Sequence, residues 1–293
     1  MNNAVRSLSA SPDIRQSFAD LLVDLHKGDC LKLFSRLPDH SIDLLICDLP
    51  FGVTRCDWDR KLNIGRFWDE VARVLKPCGA VLMFGTQPFT SELVQSKREW
   101  FKYELIWRKS RPTGFQQCWQ RVLSDHESIL VFSPGVIVGK HRSKRQMTYN
   151  PQGIIELLMP RRRKGERRIR QFGGSVLKGT IQKWTNFPRS VLEFASVHKG
   201  VHPTQKPVDL LSYLIRTFSN EDDVVCDPTL GSGSTGVASV LAGRHFVGFE
   251  LDEGWFDISD CRIAEAGRQF VEARKATSTN SAVPPIMVEA AAA

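Results

Sequence analysis

The chain has 293 residues, of which 42% are hydrophobic, so it can bury the core of one large domain or two smaller ones. Its longest apolar runs, such as residues 44–47, are too short to span a bilayer, and the polar first thirteen residues lack the apolar region of a signal peptide. The seven cysteines are scattered, with none at C-x-x-C spacing, which predicts free thiols and argues against a zinc site. We therefore expect a cytoplasmic globular protein.

Positive charge is concentrated in one segment of the chain. The net charge is +8, but residues 140–200 contain fifteen Lys or Arg against three Asp or Glu, so this segment carries +12 and the remainder −4. A basic segment attached to a mildly acidic body is typical of a protein that binds a polyanion. A solvated loop is the alternative interpretation of its densest part, residues 161–170.

Strands and helices alternate on both sides of this basic segment. Apolar runs and helical periodicity predict a strand at 42–47, a helix at 67–75 stopped by residues 76–79, a strand at 80–84, a helix at 91–99, and strands at 103–107 and 128–132. From 133 to 198 the chain is irregular. Order returns with a helix at 208–218, a strand at 223–227, a helix at 236–242, a strand at 245–250 and a helix at 253–273.

This alternation predicts an α/β fold with a doubly wound, mainly parallel sheet that is interrupted by the basic insert. We place the domain limits at a flexible N-terminal tail over 1–20, a first half of the sheet domain over 21–132, the insert over 133–200, a second half over 201–274, and a flexible C-terminal tail over 275–293.

A glycine loop follows the predicted strand at 223–227. The run from Gly231 to Gly236 fits G-x-G-x-x-G, in which glycines let the backbone approach a ligand at a helix N-terminus. Glu250 ends the next strand, where a carboxylate can bind ribose hydroxyls. A dinucleotide site and a purely structural turn have the same pattern. Asp227, which precedes the glycines, would repel a pyrophosphate but could hold the cationic ammonium of S-adenosylmethionine.

A second motif, Asp48-Leu49-Pro50-Phe51, lies just past the end of the predicted strand at 42–47, where open α/β sheets bind ligands. A strand-end turn is the alternative interpretation. The run resembles the Asp/Asn/Ser-Pro-Pro-Tyr/Phe tetrapeptide of DNA amino-methyltransferases that act on adenine N6 or cytosine N4. The tetrapeptide comes first, then the basic insert, then the glycine loop, and this order resembles the circularly permuted β group of those enzymes.

The resemblance implies a catalytic role for each tetrapeptide residue. The Asp48 side chain and the Leu49 carbonyl would accept hydrogen bonds from the target amino group, and Phe51 would stack on a base flipped out of the duplex. Leucine replaces the usual proline at position 49, but the carbonyl is the group required, and Pro50 still restricts the backbone of Leu49. Aspartate at the first position favours adenine, because cytosine-N4 members often begin with serine.

The resemblance also implies S-adenosylmethionine as the cofactor. Lys27-Gly28-Asp29-Cys30 resembles the entry to the catalytic half, where Asp29 would meet the cofactor adenine, and His202-Pro203-Thr204-Gln205-Lys206-Pro207 resembles the entry to the first cofactor helix. Thr204 and Lys206 would then contribute to the methionine carboxylate site. A turn carboxylate and a helix N-cap are the simpler interpretations of Asp29 and Thr204. The full predicted set is Asp29, Cys30, Thr204, Lys206, Asp227, Pro228, Gly231, Ser232, Gly233, Ser234, Thr235 and Glu250.

The basic insert occupies the position of a target-recognition region in that family, which implies double-stranded DNA as the partner. The loop at 111–117 either contacts the target strand or forms an ordinary surface turn. The resemblance is compatible with a homodimer and with a cognate restriction endonuclease in a restriction-modification pair, or with a solitary enzyme. The predicted DNA-binding residues are Arg161, Arg162, Arg163, Lys164, Arg167, Arg168, Arg170, Lys178 and Lys183.

Taken together, the motifs predict a site-specific, S-adenosylmethionine-dependent DNA methyltransferase that acts on adenine N6 by base flipping. A cytosine-N4 methyltransferase is the nearest alternative. A dinucleotide-dependent oxidoreductase would explain the glycine loop and Glu250, but neither the basic insert nor the tetrapeptide. A non-catalytic nucleic-acid-binding protein of the same fold would retain DNA without methyl transfer.

Overall fold

The computed structural model describes residues 8–50, 62–137, 144–163, 179–202 and 204–280. Within them, one sheet has the strand order β1-β2-β11-β10-β3-β4-β6-β5-β9, and a separate two-stranded ribbon pairs β7 with β8. The strands are β1 Ile14–Phe18, β2 Leu21–Lys27, β3 Ile42–Cys47, β4 Leu75–Gly85, β5 Phe101–Thr113, β6 Ser124–Phe132, β7 Ile155–Arg163, β8 Thr180–Thr185, β9 Val191–Phe194, β10 Val224–Asp227 and β11 His245–Glu250.

Helices cover both faces of the large sheet. They are α1 Cys30–Leu33, α2 Ile64–Val74, α3 Phe89–Ser96, α4 Val208–Phe218, α5 Ser234–Leu241 and α6 Glu253–Asn280. The buried side chains form two clusters, one shared with α1, α2 and α3 and the other with α4, α5 and α6. Alternate residues of β3 divide between them, with Leu44 and Ile46 in one and Leu45 and Cys47 in the other, as the pleat of a doubly covered sheet requires. This is the predicted doubly wound fold.

The chain reverses its direction of winding between β3 and β10. These two strands are parallel neighbours, but β3 leads through α2 to β4 on one side while β10 leads through α5 to β11 on the other. A crevice forms at the carboxyl ends of two strands that diverge in this way, and open α/β sheets bind ligands there. Asp48 and Asp227 stand at those two strand ends.

The basic insert is more regular than its sequence indicates. Residues 155–163 and 180–185 pair as the antiparallel ribbon, in which Arg161 lies opposite Gln182 and Arg162 opposite Ile181. Strand β9 then joins the edge of the large sheet, parallel to β5. The prediction of an irregular 133–198 segment is therefore wrong for these strands, because a run of arginines masks the strand pattern from a reading based on apolar alternation.

Three further boundaries differ from the sequence prediction. Strand β1 pairs antiparallel with β2, so the sheet already begins inside the segment predicted as an N-terminal tail. Strand β4 starts at Leu75, directly after α2, where a helix-terminating turn was expected. Helix α6 continues to Asn280, past the predicted start of the C-terminal tail. No helix among the described residues is long and apolar enough to cross a membrane.

Candidate cofactor and target-base site

A cavity of about 750 Å³ opens at the carboxyl ends of β2, β11, β10 and β3. Its size is in the range of pockets that enclose drug-sized ligands. Fourteen of the residues predicted from the sequence line it, namely Asp29, Cys30, Asp48, Leu49, Pro50, Thr204, Lys206, Asp227, Pro228, Gly231, Ser232, Ser234, Thr235 and Glu250. The fold thus brings the tetrapeptide and the glycine loop, which are about 180 residues apart, to one site.

Gly233, which is in the predicted cofactor set, does not line this cavity. It caps α5 with a φ of +76°, a conformation that disfavours residues with a side chain, and a Cβ there would lie 2.8 Å from the Cβ of Ser259. Gly236, one turn into α5, packs so closely on Ile263 that a Cβ would overlap it. These glycines let α5 approach α6 and hold the start of α5 beneath the cavity.

Asp227 contributes a buried carboxylate to the cavity, with 4% of its surface exposed. Its Oδ1 accepts a hydrogen bond from the Thr229 backbone amide at 3.0 Å. Burial raises the pKa of Asp227 to about 7, and the nearby carboxylates of Asp48 and Glu250 act in the same direction. A cationic ligand group would favour its ionised form.

Glu250 is tied to the glycine loop. One carboxylate oxygen accepts the Gly231 amide at 2.6 Å and the other accepts the Asp252 amide at 2.9 Å. Burial raises the pKa of Glu250. At the neighbouring strand end, Asp29 caps α1 by accepting the Leu31 amide at 2.9 Å. Both carboxylates keep lone pairs for a ligand, so a capping role and a binding role are compatible.

A chain of alternating charges lies at the tetrapeptide. The Lys206 ammonium is 2.5 Å from Asp48 Oδ2 and 3.1 Å from Glu127 Oε1, and the second oxygen of Glu127 is 3.0 Å from the Lys109 ammonium. The Lys206 and Glu127 side chains are largely buried, at 11% and 8% exposure. The Lys206 ammonium also lies 4.9 Å from the centre of the Phe84 ring. Two cations and two anions thus neutralise one another beside the cavity.

These groups shift one another's protonation equilibria. Burial raises the pKa of Asp48, and the Lys206 ammonium opposes that rise. Burial alone would raise the pKa of Glu127, but the ammonium groups of Lys206 and Lys109 outweigh it, so the net shift is downward. Burial alone would lower the pKa of Lys206, but its two carboxylate partners raise it overall. Lys206 therefore remains charged, and its attraction favours the ionised forms of both carboxylates.

Lys206 was predicted to contribute to the site of the cofactor's methionine carboxylate, and the structure gives its ammonium other partners. Its ammonium is paired with Asp48 and Glu127 rather than directed toward the glycine loop. The Thr204 hydroxyl lies 3.1 Å from His202 Nδ1, and the His202 ring packs against Trp255, with centroids 4.3 Å apart. His202 and Trp255 both line the cavity.

Glu127, His202 and Trp255 were not among the residues predicted from the sequence. Glu127 belongs to a strand that runs antiparallel to β4, so its amino-terminal end meets the carboxyl edge of its neighbours. A carboxylate just before the apolar half of this strand is the signal that could have identified it. His202 belongs to the segment that resembles the entry to the first cofactor helix. Trp255 lies in α6, where no sequence motif distinguishes it from the other apolar residues of the helix.

Several predicted residues lie outside the described parts of the chain. These are Phe51 of the tetrapeptide and the insert residues Lys164, Arg167, Arg168, Arg170 and Lys178. Of the remaining DNA-binding candidates, Arg161 and Arg162 are exposed on β7 and Lys183 is exposed on β8. Arg163 ends β7.

A comparison with protein families matches residues 42–260 to the N6/N4 DNA methylases. The match starts at β3, covers the tetrapeptide, the insert and the glycine loop, and ends within α6. The chain belongs to this family. It is an S-adenosylmethionine-dependent DNA methyltransferase, so the oxidoreductase and the non-catalytic alternatives are set aside.

Curated relatives support the same assignment. The type II methyltransferase M.HinfI of Haemophilus influenzae is 25% identical over 282 residues, which are 86% of this chain and 71% of the relative. The type II methyltransferase M2.MboI of Moraxella bovis is 26% identical, over 83% of this chain and 88% of the relative.

Solved structures support the fold. The complex of M1.HpyAVI with S-adenosylmethionine aligns with a TM-score of 0.56 at 21% identity, over 82% of this chain and 99% of the other. The cytosine-N4-specific PvuII DNA methyltransferase aligns with a TM-score of 0.58 at 17% identity, over 85% and 93%. Since one fold is compatible with cytosine N4 chemistry, the fold alone does not decide the target base.

The cavity suits S-adenosylmethionine better than a dinucleotide. Asp29, Asp227 and Glu250 make its lining acidic, and burial disfavours ionised Asp227 as long as no cation is nearby. The cofactor's ammonium and sulfonium groups would relieve that penalty, whereas a pyrophosphate would add to it. Asp29 and Glu250 would bind the nucleoside end, and Asp227 with the start of α5 the methionine end.

Replacing Asp227 by Asn is expected to change stability and binding in opposite directions. The folded-state pKa of Asp227, near 7, exceeds the unfolded value of about 3.9. Protonated Asp227 therefore stabilises the fold at low pH, and this contribution is lost as the pH rises from about 3.9 through 7. At pH 8 the Asp227→Asn protein should melt at a higher temperature than the wild type without cofactor, yet bind S-adenosylmethionine about tenfold more weakly or worse, equivalent to about 1.4 kcal/mol.

Differential scanning calorimetry and titration calorimetry measure the two quantities. Wild-type affinity should also fall as pH drops below 7, and the variant should lack that dependence. Equal cofactor affinity in both proteins at pH 8 would remove Asp227 from the binding site. Asp252→Asn, at an exposed carboxylate just outside this group, is the matched control.

Proposed function

We propose that this chain methylates the N6 amino group of adenine at a specific site in double-stranded DNA, after the base has left the duplex. The observation that carries the proposal is that Asp48 and the Leu49-Pro50 backbone share one cavity with Asp227 and Glu250. A methyl acceptor held at the first pair therefore faces a methyl donor held at the second. A base that remains stacked in the helix does not present its amino group to residues that line a cavity, so the base must leave the stack.

The exocyclic nitrogen of adenine is a poor nucleophile because its lone pair is delocalised into the ring. Asp48 offers a carboxylate oxygen and Leu49 a backbone carbonyl, and each would accept one of the two amino protons. These hydrogen bonds would draw the nitrogen toward tetrahedral geometry and concentrate its lone pair. The bound cofactor supplies an electrophilic methyl group, and the chain supplies position and desolvation.

We assign Lys206 to Asp48 rather than to a cofactor carboxylate. Within the described parts of the chain this contact uses Oδ2, so Oδ1 of Asp48 would accept from the target amino group. Glu127 holds Lys206 from the other side, so the ammonium orients Asp48 without neutralising it completely. Lys206 and Glu127 are positioning residues in this scheme, and Asp48 is the residue that contacts the reacting nitrogen.

Adenine is favoured over cytosine by the acid at the first tetrapeptide position. A carboxylate can accept protons from the amino group of either base, so the preference rests on the tetrapeptide resemblance, in which cytosine-N4 members often begin with serine.

The β7–β8 ribbon is the proposed DNA-contacting part of the insert. Arg161, Arg162 and Lys183 are exposed on it and would neutralise phosphates. A homodimer, a cognate restriction endonuclease and a cytoplasmic location are compatible with this function and remain part of the proposal.

The target base can be identified in cells. Expression in a host without its own DNA methylation, followed by sequencing that records modified bases, should reveal N6-methyladenine within one short motif. Genomic DNA from cells that express Asp48→Ala is the control. N4-methylcytosine in place of N6-methyladenine would overturn the choice of base while leaving the family assignment intact.

Replacing Asp48 by Ala should lower kcat by on the order of 10²–10³-fold or more, because one of the two acceptors on the amino group is lost. DNA affinity should change little, since phosphate contacts provide most of it. Asp48→Asn, which keeps an acceptor oxygen, should retain part of the activity. Methyl transfer from labelled cofactor and gel retention measure the two properties, and full activity of Asp48→Ala would exclude it from the mechanism.

Lys206→Met and Glu127→Gln should shift the pH dependence of kcat/KM in opposite directions. Removing the ammonium raises the pKa of Asp48. On acidification the variant should therefore lose activity at a higher pH than the wild type, because ionised Asp48 is the active form. Removing the Glu127 charge lowers the pKa of Asp48, so the acid limb should move to lower pH. Initial rates of methyl transfer between about pH 5 and 9 record the acid limb of each protein.

Removing one partner of a buried pair is destabilising, so circular dichroism must accompany these assays. The double variant Lys206→Met/Glu127→Gln, in which one cation and one anion disappear together, keeps the charge balance where a single variant does not fold. Shifts of both single variants in the same direction would contradict the positioning role.

A further inference from the structure

The turn between β5 and β6 exposes three large apolar side chains. Trp119 is 97% exposed, Val122 89% and Phe115 76%. Tryptophan and phenylalanine are among the side chains that a protein gains most from burying, so such a cluster on one turn marks a contact surface. None of the three takes part in the cofactor and target-base site described above.

This turn has a defined backbone. Gly114, at a φ of +85°, redirects the chain as β5 ends, and a short 3₁₀ turn follows at Phe115–Gln117. The amide of Gln117 bonds to the Gly114 carbonyl at 2.9 Å, and the amides of Gln120 and Arg121 both bond to the Gln117 carbonyl. Consecutive turns of this kind order the backbone that carries Trp119, which reduces the entropy lost when this side chain enters another molecule.

The topology places the turn beyond the catalytic edge of the sheet. Strand β6 leads from Ser124 to Glu127, and Glu127 contacts the lysine that holds Asp48. Three strand residues span about 10 Å, so the turn projects roughly that far past the tetrapeptide. A duplex that delivers a base to Asp48 must lie along this edge, within reach of Trp119.

Charge favours DNA as the occupant of this surface over a second copy of the chain. Between residues 109 and 124 there is no Asp or Glu, and Arg111 and Arg121 are exposed beside the apolar side chains. A two-fold symmetric contact would place the same basic turns against each other, which electrostatic repulsion disfavours. A polyanion with apolar base faces satisfies both the arginines and the aromatic rings.

We propose that this turn enters the duplex beside the target base, and that Trp119 occupies the stacking position that the base leaves. The proposal rests on base extrusion in the proposed function, and adds the residue that keeps the vacated position filled. Apolar side chains inserted between base steps stabilise unstacked DNA in this way. Arg121 would contact the adjacent phosphates.

The test compares Trp119→Ala with the wild type on two duplexes that contain the methylated motif. In one duplex the target base is paired normally, and in the other it faces an abasic residue, so that little pairing opposes extrusion. We expect Trp119→Ala to lower kcat/KM by about 10- to 100-fold on the paired duplex and by less than about threefold on the abasic duplex. An equal loss on both would make Trp119 an ordinary DNA contact and overturn the proposal.

A second readout does not require methyl transfer. With 2-aminopurine at the target position and S-adenosylhomocysteine as cofactor, extrusion raises the fluorescence, and Trp119→Ala should reduce that rise on the paired duplex. Unchanged fluorescence and kinetics would overturn the proposal. If the wild type extrudes the base in this assay but sequencing finds no N6-methyladenine in cells, the proposed function is contradicted and the role of Trp119 in extrusion is not.

Tyr149→Ala is the matched control, because Tyr149 is a half-exposed aromatic residue in a segment bonded to the start of β4, at the opposite edge of the sheet. It should behave as the wild type on both duplexes. Sedimentation of Trp119→Ala serves as the last criterion. Conversion of a dimer into monomers would assign the turn to a subunit interface, contrary to the proposal.

Discussion

The buried Lys206 ammonium between Asp48 and Glu127 is the interaction on which the site depends. Its three residues come from the end of β3, the start of β6 and the segment before α4, so it joins parts of the chain that are 79 residues or more apart. A buried charge is tolerated only when it is paired, and here both carboxylates pair with the one ammonium between them. Residues 204–206 must therefore cover this edge of the sheet, where they also close one side of the cofactor cavity.

The reversal of winding between β3 and β10 explains why two distant motifs form one site. Parallel neighbours end at the same edge, so Asp48 and Asp227 meet there although an insert separates them in sequence. The connections that diverge from this point leave a crevice that neither half of the fold fills. Because each half builds its own strand end, the insert between them can lengthen without disturbing the crevice.

The sequence predicted the parts of this arrangement that local pattern determines. The strands at 42–47 and 245–250 and the helix at 208–218 have the predicted bounds, because their apolar periodicity stops sharply. The lining of the cavity followed from two motifs and the rule about strand ends. The partner of Lys206 did not, since a motif places a residue at an edge but does not determine which charge it meets. Glu127 and the exposed Trp119 were missed because burial and exposure within a strand and its turn depend on the neighbouring strands.

The distribution of charge suits a reaction on a flipped base. The cavity contains the carboxylates of Asp29, Asp48, Asp227 and Glu250, while the excess of positive charge lies in the insert and on the turn around Trp119. Phosphates are repelled by the first region and attracted by the second. An uncharged base can cross from one to the other without the electrostatic penalty that its phosphates would meet. Extrusion therefore serves the electrostatics as well as the geometry, because it admits to an acidic site only the part of the polyanion that carries no charge.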